Sequence, residues 1–169
     1  MPLHPQAQTI VDALNAADPI PMTPETQRQG FAMLLMLAGE PPAVASVEDA
    51  DADGVPVRIY RPFDEVGLPV VVYLHGGGWT IGTVEQFDPV LRQLAVASGA
   101  IVVAPEYRVA PEHPFPAPLD DCWQAVQWVA KHAADFGGDG SRLALAGDSA
   151  GGNMLAVCAL LARDAGSPD

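Results

Sequence analysis

Two glycine-rich segments hold the residues that are best suited to chemistry. Residues 147–151 read Gly-Asp-Ser-Ala-Gly, and residues 75–78 read His-Gly-Gly-Gly. A Gly-x-Ser-x-Gly sequence between a strand and a helix forms a tight turn that raises the serine hydroxyl above the sheet. Consecutive glycines leave the backbone free to turn its N–H groups towards a negative oxygen. We therefore predict that Ser149 is a nucleophile and that the second segment stabilises the oxyanion formed when Ser149 attacks a carbonyl.

Both segments also have simpler interpretations, which neighbouring residues help to decide. Ser149 could merely cap the helix that follows it, and glycine-rich turns before helices often bind phosphate. A P-loop counted from Gly147 needs lysine at the position of Asn153, and a dinucleotide motif counted from Gly76 needs glycine at the position of Ile81. Phosphate binding is therefore not expected.

The predicted secondary structure places both segments directly after strands. Apolar runs predict strands, and apolar residues at helical spacing predict helices. The strands are Val70–Leu74, Ile101–Ala104 and Leu143–Ala146, and the helices are Glu85–Ser98, Leu119–Ala134 and Ala150–Asp164. Alternation of this kind predicts an α/β fold, a mostly parallel sheet with helices on both faces. Ala150 begins the last helix, where the helix dipole favours an oxyanion.

The first forty residues differ from the rest because five prolines interrupt them. Helices are predicted at Gln6–Ala17 and Pro24–Ala38. The second helix carries Met33 and Met36, which either pack in the core or line an adaptable acyl pocket. Further on, the Asp-Gly pair at residues 53–54 is a favoured turn, so the acidic residues around it predict a hairpin tip rather than a calcium loop.

The composition excludes several kinds of partner. The 169-residue chain has 8 Lys or Arg against 21 Asp or Glu, a formal net charge of −13. Nucleic acids and anionic membranes are bound by clustered basic residues, so neither is expected as a partner. Cys122 and Cys158 lack disulfide or zinc spacing, which predicts two buried thiols in a reducing compartment. Residues 1–20 show no secretory signal, so the expected location is cytoplasmic.

A third segment crosses between the predicted elements after the strand Ile101–Ala104. Residues 107–112 read Tyr-Arg-Val-Ala-Pro-Glu, and more prolines follow. Proline fixes the backbone there, and we expect an ion pair between Arg108 and Glu112 to brace the site. His75 is expected to hold the glycine loop by a ring hydrogen bond. Its position upstream of the glycines makes it a poor general base.

Taken together, the three segments resemble the hormone-sensitive-lipase-like esterases, the bacterial family IV branch of the α/β-hydrolase fold. The stretches His-Gly-Gly-Gly-Trp, Tyr-Arg-x-Ala-Pro-Glu and Gly-Asp-Ser-Ala-Gly-Gly-Asn occur in the order and spacing of that family. The resemblance implies an amino-terminal helical cap over residues 1–42 and the amino-terminal part of the hydrolase core over residues 43–169. It also implies hydrolysis of short-chain carboxylic esters without a metal or an organic cofactor.

The same resemblance implies roles for individual residues. Ser149 is the expected nucleophile, and Gly77, Gly78 and Ala150 are the expected donors to the oxyanion. The supporting residues are His75, Tyr107, Arg108, Glu112 and Asp148.

The chain departs from the family pattern after the serine. α/β-Hydrolases place the triad acid and then the histidine after the nucleophile. The twenty residues that follow Ser149 contain Asp164 and Asp169 but no histidine. The other histidines, His4, His113 and His132, lie in positions poorly suited to a base. The triad Asp and His are therefore expected from outside this chain, and the isolated chain is expected to be nearly inactive.

The resemblance extends to the partners. A complementary carboxy-terminal fragment or second chain is expected beside the strand Leu143–Ala146, which otherwise forms a bare sheet edge. The completed protein could also form a homodimer. A different function fits the sequence as well: a small-molecule-binding module that kept the fold and lost catalysis with the histidine.

Overall fold

A five-stranded mixed sheet organises the chain. The computed structural model describes residues 2–16, 20–35 and 39–167, without the side chains of residues 33–35. The strands are β1 (Ser46–Ala52), β2 (Val55–Arg61), β3 (Leu68–Leu74), β4 (Ile101–Pro105) and β5 (Gly138–Gly147). The helices are α1 (Pro5–Ala16), α2 (Pro24–Leu35), α3 (Val84–Ser98), α4 (Ala117–His132) and α5 (Ser149–Ala165), with a 3-10 turn at Ala133–Phe136.

The predicted elements all exist, with small changes at their ends. The largest difference is β5, which begins at Gly138 rather than at Leu143. The apolar run predicted too short a strand, because an edge strand also contains polar residues that face solvent. The predicted ends of the first two helices, Ala17 and residues 36–38, lie outside the described residues.

The sheet order is β1-β2-β4-β3-β5, and its directions are mixed. Strand β2 runs antiparallel to both β1 and β4, whereas β3 runs parallel to β4 and to β5. The hairpin between β1 and β2 turns at Asp53 and Gly54, whose φ angles of 57° and 104° suit a tight two-residue turn. Strand β5 lies at one edge of the sheet, as the sequence predicted.

Helices cover both faces of the sheet, which confirms the predicted α/β layering. Alternate residues of β4 point to opposite sides, because side chains alternate along a strand. Val103 packs with residues of α4 and α5 such as Val126 and Met154. Val102 packs with residues of α3 such as Leu91. No helix among the described residues is both long and apolar enough to cross a bilayer.

The pairing of β3 with β5 brings the two glycine-rich segments together. Leu74, the last residue of β3, pairs in register with Gly147, the last residue of β5. Both following loops therefore leave the same end of the sheet. Helix α5 then passes close to β3, since a Cβ on Gly151 would lie 1.9 Å from the Leu74 carbonyl oxygen. Only glycine permits that approach.

We predict opposite effects for two neighbouring glycine substitutions at the start of α5. Gly151→Ala places its methyl group against the Leu74 and His75 carbonyls, at 1.9 and 2.6 Å, and should lower the free energy of unfolding by about 3 kcal/mol or more. In Gly152→Ala the added methyl group has no neighbour closer than 3.5 Å. Alanine favours a helix over glycine by about 0.5–1 kcal/mol, so this variant should have a higher free energy of unfolding by about that amount. Urea unfolding of both variants measures the difference, and equal stability would contradict the close approach.

Candidate active site

The candidate nucleophile stands at a strained turn between β5 and α5. Asp148 is extended, with φ −117° and ψ 150°, and Ser149 then reverses the chain with a φ of 50°. A positive φ is uncommon for a residue with a side chain and costs about 1–3 kcal/mol. Ser149 is exposed to solvent at the amino-terminal end of α5. It lines a cavity of about 500 Å³ together with Gly76, Gly77 and Gly78.

The glycine loop after β3 has a backbone that other residues would adopt only with strain. Gly77 and Gly78 have φ angles of 131° and 57°. The Gly77 carbonyl accepts hydrogen bonds from the N–H groups of Thr80 and Ile81, at 3.0 and 2.9 Å, which closes the loop. A Cβ on Gly77 would lie 2.0 Å from the Ile81 carbonyl oxygen, so this turn requires glycine.

Three backbone N–H groups lie in the segments that meet at Ser149 and are candidate donors to an oxyanion. Within the ranges that the structure describes, no protein group accepts a hydrogen bond from the N–H of Gly77, Gly78 or Ala150. Ala150 is buried in the first turn of α5, where the helix leaves its N–H groups unpaired and partly positive. Unpaired donors of this kind are suited to an anionic oxygen.

Asp148 joins the serine turn to the glycine loop. Its Oδ1 accepts hydrogen bonds from the Gly76 N–H and the Tyr73 hydroxyl, both at 2.9 Å. Burial and the Asp148 carboxylate together raise the pKa of Tyr73, so the phenol stays protonated and donates. A Cβ on Gly76 would lie 2.1 Å from Asp148 Oδ2. The Asp148 carboxylate thus fixes the distance between the serine turn and the glycine loop.

His75 is locked inside the glycine loop. Its Nδ1 lies 2.8 Å from the Gly76 carbonyl oxygen, and the Tyr107 hydroxyl donates to the His75 carbonyl at 2.6 Å. Its ring stacks between Phe87 and Tyr107, with centroids 5.3 and 4.2 Å away. Because a carbonyl only accepts, Nδ1 carries the proton. Burial lowers the pKa of His75, so the imidazole is neutral.

The predicted ion pair between Arg108 and Glu112 is wrong. Arg108 instead binds Asp121 of α4 through its Nε and one terminal nitrogen, at 2.8 and 2.6 Å. Glu112 binds Arg28 of α2 at 2.7 and 2.8 Å. Spacing along the loop suggested a local pair, but the partners come from α4, which follows the loop, and from α2, which lies far earlier in the chain. Burial is the largest single influence and raises the pKa of Asp121, but the hydrogen bonds from the Arg108 side chain and backbone, together with its charge, bring that pKa below its usual value.

The amino-terminal segment forms one wall of the Ser149 cavity. Its contributors are Met22, Pro24, Gln27 and Phe31. Met36, one of the two predicted pocket residues, lies outside the described residues, as does the Met33 side chain. A sequence signal was available for Phe31 and Pro24, because residues seven apart share one face of a helix.

A second apolar cavity adjoins the first through Gly78 and Thr80. It measures about 440 Å³, and Trp79, Phe115 and Met154 are among its lining residues. No group of three or more His, Cys, Asp or Glu side chains gathers as a metal site among the described residues.

Comparison with known proteins places this geometry in a family. The sequence profile of a family described as having the alpha/beta hydrolase fold matches residues 71–169. This chain belongs to the hormone-sensitive-lipase-like α/β hydrolases. Its matched relatives include the carboxylesterase NlhH of Mycobacterium tuberculosis, 58% identical over 115 residues, which are 68% of this chain and 36% of that protein. The arylesterase of Saccharolobus solfataricus is 33% identical over 97% of this chain and 56% of its own length.

Solved structures of the family share the fold. An esterase of the archaeon Pyrobaculum calidifontis superposes with a TM-score of 0.86 at 43% identity, over 99% of this chain and 55% of that chain. The chain therefore spans between about a third and just over half of these relatives. The α/β-hydrolase fold implied by the sequence is confirmed.

We predict a pH dependence of stability that His75 causes. Because burial keeps the folded pKa below the unfolded value of about 6.5, the unfolded chain binds a proton first. The stabilising contribution of His75 to the free energy of unfolding is fully present above about pH 6.5, and it is lost as the pH falls towards the pKa of His75 in the folded protein. The stability advantage of wild type over His75→Gln should therefore shrink between pH 7.5 and 5.

Thermal melts of both proteins across that range provide the measurement. His4→Gln, at an exposed position outside the loop, is the matched control and should keep the wild-type slope. An advantage of wild type that is constant with pH would show that His75 is not held neutral.

Proposed function

We propose that the complete protein hydrolyses short-chain, soluble carboxylic esters through an acyl-enzyme formed on Ser149. One observation carries the proposal: an exposed hydroxyl at a strained turn shares a cavity with two glycines whose N–H groups have no acceptor in the described part of the chain. The carboxylesterase relatives support the same reaction. The strain matters because it presents the hydroxyl before substrate arrives.

The chemistry follows from these groups. Ser149 Oγ attacks the ester carbonyl and loses its proton to a histidine, and the carbonyl oxygen becomes negative. The N–H groups of Gly77, Gly78 and Ala150 stabilise that oxygen in the tetrahedral intermediate. The intermediate collapses, the alcohol leaves with the proton from the histidine, and the acyl group remains on Ser149. Water then repeats the sequence and releases the acid.

The histidine and the triad acid are proposed to come from a complementary carboxy-terminal segment. His75 is buried, neutral and held by the Gly76 carbonyl. His132 binds Asp135 at 2.9 Å at the far end of α4, and the remaining histidines, His4 and His113, are exposed outside the cavity that Ser149 lines. Strand β5 offers an open sheet edge where such a segment can pair.

The isolated chain should therefore be a very slow catalyst. Removing the proton-transfer groups of a catalytic triad costs about 10⁶ in turnover, while an oxyanion hole with substrate binding retains about 10³–10⁴ over water.

Small substrates suit the two adjoining cavities. The apolar cavity measures about 440 Å³ and the Ser149 cavity about 500 Å³. Phe31 and Gln27 line the Ser149 cavity. Pockets of this size accept small ligands with mostly apolar surfaces. We propose that the acyl and alcohol groups of a short ester divide between them.

We predict that an alkyl fluorophosphonate labels Ser149 in the complete protein. The reagent phosphonylates activated serines, so Ser149→Ala should remove both the label and the hydrolysis of 4-nitrophenyl butyrate. Ser141→Ala is the matched control, because Ser141 is exposed and its hydroxyl binds Asp139 at 2.6 Å. Intact mass spectrometry and peptide mapping measure the label.

Failure of Ser149 to label in an active, folded protein would refute the acyl-enzyme. Tight binding of esters without turnover would instead support the small-molecule-binding module. That alternative also requires that the completing segment has no histidine able to reach Ser149.

A further inference from the structure

One guanidinium group joins the amino-terminal helix to both loops beside the cavity. Arg28 of α2 donates through Nε to the Thr80 carbonyl at 3.0 Å and through a terminal nitrogen to the Ala110 carbonyl at 3.1 Å. It also binds both carboxylate oxygens of Glu112, at 2.7 and 2.8 Å. Arg28 is the only Lys or Arg in the first 57 residues of the chain. Arg28 is therefore the only Lys or Arg side chain with which these 57 residues can form an ion pair to the rest of the protein.

The two carbonyls that Arg28 binds belong to loops that are already joined. The Ala110 N–H donates to the Trp79 carbonyl at 2.8 Å. Thr80 closes the turn of the glycine loop by donating to the Gly77 carbonyl. Arg28 thus binds the joined loops that include Gly77 and Gly78, whose N–H groups have no acceptor among the described residues.

The position of Arg28 on α2 connects it to the cavity wall. Pro24 and Phe31, four residues before and three residues after Arg28, lie on the same face of the helix. Both line the Ser149 cavity, and Gln27 beside them does so too. Arg28 therefore belongs to the same helix face as two of the residues that form this wall.

Apolar packing holds this part of α2 only weakly. None of residues 24–32 is fully buried. Phe31 rests against Phe87 of α3 with ring centroids 5.7 Å apart. Residues 24–32 therefore gain little from the hydrophobic effect, so the directional polar contacts of Arg28 contribute much to where they lie.

The contact with Glu112 is charged on both sides at neutral pH. The hydrogen bonds from Arg28 lower the pKa of Glu112 to about 2. The Arg28 and Glu112 side chains are 34% and 52% exposed. An exposed ion pair alone contributes little. The two carbonyl contacts distinguish Arg28 from an ordinary surface pair, because they require the planar fork of a guanidinium.

We propose that Arg28 is a positioning residue that fixes α2 over Ser149 and so sets the dimensions of the substrate cavity. It touches no reacting atom and acts through Pro24, Gln27 and Phe31. The consequence for ester binding depends on the proposed function, whereas the anchoring of α2 does not. Two measurements on the complete protein separate these parts.

Hydrogen exchange tests the anchoring without any substrate. In Arg28→Gln, amide exchange in residues 24–35 should become roughly tenfold faster, because about 1.4 kcal/mol of hydrogen bonding is lost. Glu112→Gln should give a smaller increase, since the Thr80 and Ala110 contacts remain. Arg163→Gln is the matched control, because that arginine is 69% exposed and binds the adjacent Asp164. Unchanged exchange in β4 shows that each variant is folded.

Ester kinetics test the effect on the cavity. In Arg28→Gln, KM should rise roughly three- to tenfold while kcat falls less than about twofold, because wall residues contact substrate but not the reacting atoms. The rise should be larger for 4-nitrophenyl butyrate than for the acetate, since the longer acyl chain reaches the wall. Arg28→Lys keeps the charge but not the fork, so it should recover only part of the loss.

Three results would overturn the proposal. The first is wild-type exchange of residues 24–35 in folded Arg28→Gln. The second is an equal fall of kcat/KM for both esters through kcat alone. The third is full recovery by lysine. Complete absence of esterase activity in wild type would refute the proposed function, while the exchange measurement would still decide whether Arg28 anchors α2.

Discussion

The contact between the start of α5 and the end of β3 determines the rest of the site. Leu74 pairs with Gly147 in the sheet, and its carbonyl oxygen would lie 1.9 Å from any Cβ at Gly151. Parallel strands end at the same edge of a sheet, so the loops that follow them meet. A larger residue at position 151 would separate them. The candidate nucleophile and the proposed oxyanion donors can therefore lie beside the same cavity only because the backbones approach so closely.

That contact is reinforced by a carboxylate. Asp148 binds Gly76 and Tyr73 across the gap between the two loops. His75 contributes rigidity on the other side, where burial between Phe87 and Tyr107 keeps its ring uncharged. The donors of the glycine loop consequently point in a set direction before a substrate binds. Prearranged dipoles need no reorganisation when charge develops, which is why such loops favour acyl transfer.

The amino-terminal helices are attached in a different way from the core. The sheet and its covering helices bury two apolar clusters, one on each face. The described side chains of α2, those of residues 24–32, are at most partly buried, and Arg28 attaches them by polar contacts. A wall that depends on hydrogen bonds can shift at lower cost than one that depends on close packing. Under the proposed function, a few residues of α2 would therefore alter the cavity wall while the Ser149 turn and the glycine loop stay the same.

Local patterns were enough to predict the strands, the helices, the serine turn and the glycine loop. Each depends on residues adjacent in the chain: apolar runs give strands, and Gly-x-Ser-x-Gly between a strand and a helix gives the turn. The ion pairs were not predictable in the same way. Arg108 binds Asp121, 13 positions away, and Glu112 binds Arg28, 84 positions away.

Only the fold decided those pairs, since a long side chain can reach many partners and the chain path selects one. The sequence alone determined which residues could do chemistry. The tertiary structure decided which of them meet, because distance in space is set by strand register and helix packing rather than by order along the chain.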